Sequence, residues 1–160
     1  MSGSSGSRIL AVVDTNLVVS SSISNRGAPY QLIHSLYAGK FQIIIPDAIH
    51  AEYTDVLSRL FLAQFGNIAD NDISAFFRFI DRHGLSVSPF VMEDMPLFVR
   101  DPKDNDLLAA AFGGQADHLV SGDNDLLVLV GDLLLGKLQI VTAREFLGII
   151  GTQYEERSGD

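Results

Sequence analysis

The chain has 160 residues, with 20 acidic against 11 basic side chains and a formal net charge of −9; that suits one domain with a sizeable core, and argues against binding a polyanion through surface charge alone. At 47% hydrophobic and 19% charged residues, the composition excludes a disordered chain. The absence of cysteine excludes disulfides and thiolate metal sites and fits a reducing, cytoplasmic compartment, while no apolar run approaches the roughly 20 residues that span a bilayer.

Residues 1–7, MSGSSGS, lack an apolar signal region and read as a flexible tail or cloning remnant. Residues 8–13 follow as a short buried strand. Residues 28–38 have helical spacing in Leu32, Ile33, Leu36 and Tyr37, with Pro29 in the first turn and Gly39 as a stop. Residues 41–45 form a continuous β-branched strand. Pro46 opens a second helix with Ile49, Tyr53, Val56, Leu57 and Leu60 inward. A third helix covers 70–82, then an extended piece 85–91 and a Pro-containing connection. The next helix runs over 104–112 and stops at Gly113-Gly114. A strand at 119–121, a short helix or turn at 124–130, a strand at 138–141 and a helix at 143–150 capped by Thr142 complete the chain. Strands alternating with helices predict an α/β fold with a mainly parallel central sheet flanked by helices. The domain is expected over 8–150, with 151–160 a polar C-terminal tail.

Four acids stand where acids are costly unless paired or bound to a cation. Asp14 closes the first strand and Asp123 follows the strand around Leu119, so both project at the carboxyl edge where open α/β sheets collect ligands. Glu52 is three after Ile49 and four before Val56, on the apolar stripe or its margin. Asp104 is three and four before Leu107 and Leu108 and points with them; Asp106, about 200° further round, points outward. Asp101 precedes the helix. Each acid also has a plain structural reading: Asp14 and Asp123 as turn formers, Asp104 as a helix cap, Glu52 as a solvated rim residue. Taken together, with few bases nearby in sequence, they point to a divalent cation. Asp125 is either a further ligand or the cap of the helix that follows, and Asn16 and Ser121 are candidate polar supports. Arg26, Arg100 and Lys103 are the nearest bases in sequence for holding a phosphate chain. His34, His50, His83 and His118 make no metal-ligand pair at helical spacing, and no Gly-rich phosphate loop or nucleophile elbow appears.

The opening strand with Asp14-Thr15-Asn16, Glu52 after Pro46, Asp101-Pro102-Lys103-Asp104-Asn105 entering an Ala-rich helix, and Ala116-Asp117-His118-Leu119-Val120-Ser121-Gly122-Asp123 together resemble the PIN-domain family. The resemblance covers about residues 8–150 and is best to the bacterial branch grouped with toxins of toxin–antitoxin systems. It implies a Rossmann-like sheet and a Mg²⁺- or Mn²⁺-dependent endoribonuclease. Asp14, Glu52, Asp104 and Asp123 would form the acidic cluster, with Asp125 a frequent fifth member. It also implies a homodimer and an antitoxin protein as partners. Ser121 stands where Thr is more usual. Two rival readings remain: a catalytically inactive PIN-fold module that binds RNA or protein, and a phosphatase-like enzyme with Asp14 as nucleophile. The second lacks the further Asp two residues on that such enzymes resemble one another in having.

Overall fold

Ile9 to Val13 is apolar without alternation, as a strand covered on both faces must be. In a computed structural model that describes residues 8–23, 26–46, 70–87 and 92–158, this stretch is β1 (Leu10–Val13). Ala11, Val12 and Val13 are fully buried. α1 (Thr15–Ile23) leaves β1 directly and α2 (Ala28–Tyr37) returns to β2 (Gln42–Pro46). α3 (Asp70–His83) precedes β3 (Leu85–Val87), and a 3-10 turn covers Met92–Asp94. α4 (Pro102–Gly113), β4 (His118–Val120) and α5 (Asn124–Leu127) follow. A second 3-10 turn (Leu133–Leu135), β5 (Gln139–Val141) and α6 (Ala143–Ser158) close the chain.

The five strands lie in the order β3-β2-β1-β4-β5 and every pairing is parallel. The chain therefore builds outward from β1 in both directions, and the crevice between β1 and β4 is the switch point of the topology. Register matters here: Val13 lies beside Val120, which brings Asp14 and Ser121 off the sheet together. The core fills both faces. Leu32 and Leu36 from α2, Leu107 and Leu108 from α4, and Phe146 from α6 are all fully buried or nearly so, and α2 packs on α6. Phe146 meets Phe41 edge-on at 4.9 Å and the His118 ring at 5.3 Å.

Two turn signals act as expected. Gly39 takes φ +78° after the last residue of α2, a conformation open to glycine. Thr142 caps α6 in a reciprocal box: Glu145 N donates to Thr142 Oγ1 at 3.2 Å, and Thr142 N donates to Glu145 Oε1 at 2.8 Å.

Some boundaries differ. α1 was not expected, because Leu17-Val18-Val19-Ser20-Ser21 combines β-branched and serine residues with weak helix preference and no amphipathic period. α4 starts at Pro102, not Asp104, since Asp101 takes the capping position. α6 continues to Ser158, past the expected end at 150. The expected helix after Pro46, with Glu52 on it, lies outside the described residues.

Candidate active site

Three aspartates reach the crevice by one local device. Each stands just before a helix, where the first amide groups lack intrahelical partners. Asp14 Oδ1 accepts from Asn16 N at 3.1 Å, Asp101 Oδ1 from Lys103 N at 2.9 Å, and Asp123 Oδ1 from Asp125 N at 2.8 Å. In every case one carboxylate oxygen caps a helix and the other is left for further contacts. For Asp14 that contact is Ser121: its hydroxyl, fully buried, donates to Asp14 Oδ2 at 2.8 Å. The same hydroxyl oxygen accepts from Asp123 N at 3.0 Å. Asp14 N also donates to Val120 O at 2.9 Å. Ser121 thus ties the end of β1 to the loop after β4.

Asp104 comes from a different position. It lies within the first turn of α4, only 2% exposed. Carboxylate oxygens of Asp101, Asp104 and Asp123 lie within 4.8 Å of one another. Asp104 Oδ2 is buried and has no hydrogen-bond partner. Its pKa is pushed up from 3.8 to about 7. Burial is the largest cause, followed by the adjoining Asp123 carboxyl, which favours a proton between the two, and then by the charges of Asp101 and Asp14. Asp104 therefore holds its charge poorly unless a positive charge lies beside it.

Asn105, the residue after Asp104, fixes the approach to α4. Val99 N donates to Asn105 Oδ1 and Asn105 Nδ2 donates to Val99 O, both at 2.8 Å. Arg100, between Val99 and Asp101, extends to Asp125 Oδ1 at 3.3 Å. Lys103 is half-buried in the first turn of α4. Arg26 is exposed beyond the far end of α1; a nine-residue helix carries the chain roughly 13 Å from Asp14.

The structure therefore brings together Asp14, Asp104, Asp123 and Ser121 from the expected set, with Asp125 at the margin. Asn16 contributes through its backbone N–H, while its side chain is exposed. Glu52 lies outside the described residues. Asp101 is the residue that sequence reasoning left out. Its signal was the Asp-Pro pair that marks a cap followed by the first helical residue, which starts α4 at Pro102, with Asp101 three residues before Asp104 and both acids on one helix face.

Fold and site define an α/β protein with an acidic centre at the carboxyl edge of a parallel sheet. The PIN-domain family model matches residues 10–125, and the chain belongs to that family. The PIN domain is generally a nuclease fold, acts on nucleic acids and uses divalent metal ions. Neither the curated proteins nor the solved structures compared with the chain gave a match. Among the described residues no helix is long and apolar enough to cross a membrane.

Proposed function

We propose that the protein is a Mg²⁺- or Mn²⁺-dependent endoribonuclease whose site is the aspartate cluster between β1 and β4. The observation that carries this is Asp104 Oδ2, buried without a partner among like-charged neighbours. An all-oxygen, anionic donor set suits a hard cation. Asp14, Asp101, Asp104 and Asp123 would hold it, with Asp125 beside them and Glu52 contributing as its sequence position suggests. A bound divalent cation supplies a Lewis acid for phosphoryl oxygens and lowers the pKa of water.

The chain's own groups do the rest. Asn16 N and the Ser121 hydroxyl hold both oxygens of Asp14, so that its carboxylate cannot rotate away. The caps of α1 and α4 aim helix amino termini at the cluster, offsetting part of its negative charge. Burial and the neighbouring carboxyls push the Asp104 pKa up to about 7, so a bound cation would offset the charge that its surroundings disfavour. Arg100, Lys103 and Arg26 are the bases assigned to the RNA backbone. The resemblance to the toxin branch supports a cytoplasmic toxin role, an antitoxin partner and a homodimer as part of this proposal.

The test is cleavage of single-stranded RNA by purified protein, with chelator and with Mg²⁺ or Mn²⁺ restored. Cleavage should stop in chelator and return with either ion. Asp14→Asn should keep the circular dichroism spectrum and the cap but lose cleavage. Metal-independent cutting, or an active Asp14→Asn, would overturn the assignment. RNA binding without cleavage under any of these ions would favour the catalytically inactive module.

A further inference from the structure

We infer that Arg100 is a tethered counter-ion of the acidic cluster, paired with Asp125 until RNA arrives and then exchanged onto the phosphate backbone. The inference rests on the ribonuclease reading and adds the residue that mediates between cation and substrate.

Arg100 stands between two residues held by hydrogen bonds. Val99 is gripped through both its N–H and its carbonyl by Asn105, and Asp101 caps α4. The Arg100 side chain is 90% exposed, yet it reaches a partner 25 residues further on, Asp125 Oδ1, at 3.3 Å. Asp125 is itself fastened to the cluster, because its N–H donates to Asp123 Oδ1. The pair thus bridges the two loops that carry Asp101 and Asp123.

An ion pair so exposed adds little to stability, so opening it is easy. A guanidinium matches phosphate oxygens in a two-pronged geometry that a single contact to one carboxylate oxygen does not use. On a chain of net charge −9, an incoming polyanion meets repulsion, and Arg100 stands beside the acidic cluster. While paired, Arg100 also weakens the field that draws a cation to the cluster. Exchange onto RNA removes that opposition and frees Asp125 toward the cation. Binding of substrate and of cation then favour each other.

Two measurements on Arg100→Gln and Arg100→Lys test this. Mn²⁺ titration calorimetry without RNA should show Arg100→Gln binding about two- to fivefold more tightly than wild type at low salt, with the difference vanishing near 0.5 M salt. Steady-state RNA cleavage should show KM raised about tenfold with kcat within about twofold, the pattern of a lost binding contact. Arg100→Lys should keep wild-type Mn²⁺ affinity while recovering only part of KM. Unchanged Mn²⁺ affinity or unchanged KM in Arg100→Gln overturns the exchange. A wild-type protein that takes up no Mn²⁺ instead removes the metal-dependent reading itself.

Discussion

At Asp14, Asp101 and Asp123 the same side chain does two jobs with two oxygens. One oxygen closes a helix amino terminus and the other is left for the cluster or its support. An Asp→Asn change keeps a capping oxygen, so it removes charge without undoing the local fold. Asp104 differs because nothing offsets its burial. Its folded pKa, about 7, lies above the unfolded value near 3.8. The folded state therefore binds the proton more tightly, and that stabilisation is complete below about pH 4 and lost as pH rises through about 7. His118 works the other way: burial pushes its pKa down, with Asp117 and Gln139 opposing, so its contribution falls toward acid pH. The difference between wild type and Asp104→Asn isolates the carboxyl. In chelator, Asp104→Asn should gain stability relative to wild type between pH 4.5 and 7.5, by an amount on the order of a few kcal/mol. Urea unfolding at the two pH values measures it, and a pH-independent difference contradicts the assignment.

Elements position these groups more than any one contact does. α4 begins with a cap at Asp101, Pro102 in its first turn, Asp104 facing the core and Asn105 gripping Val99. Four consecutive functions occupy little more than one helical turn, so the segment has few free choices of residue. Asn105→Ala leaves the Val99 N–H and carbonyl without that partner in a half-buried place. It should cost about 1–3 kcal/mol in thermal or urea unfolding. By loosening Arg100 and Asp101 it should also lower RNA cleavage by about tenfold or more. Stability lost with full cleavage would show that the grip matters only to the fold. α1 illustrates the converse. Its sequence favours helix weakly, and two of its serines donate back to its own carbonyls, Ser20 Oγ to Asn16 O and Ser21 Oγ to Val18 O. Asp14 as cap and packing against α2 supply what local preference does not.

Across the whole molecule, the site depends on a core that keeps β1 and β4 abreast. Phe146 joins α6 to that core through Phe41 and His118. Phe146→Ala should destabilise the fold by about 3–5 kcal/mol while leaving metal-dependent cleavage per folded molecule unchanged, as read by urea unfolding beside activity at low temperature. A loss of cleavage in fully folded protein would instead tie α6 to the site. Much of this architecture was legible in the chain alone. Unbroken apolar runs gave β1 and β2, and helical spacing gave α2, α3 and α4, because burial imposes those periods on sequence. The acids after β1 and β4 stood out for the same reason, as charges at the edge of apolar segments. Sequence could not supply the partners: Asp14 and Ser121 are 107 residues apart, and only the parallel register of Val13 with Val120 makes them neighbours. Nor could it bring Asp101 into the cluster, since a cap and a ligand look alike until the surrounding carboxylates are placed. Local chemistry determined which residues could carry the function. Tertiary structure decided which of them share one electrostatic environment, because that depends on distance in space and on burial, which spacing along a chain does not contain.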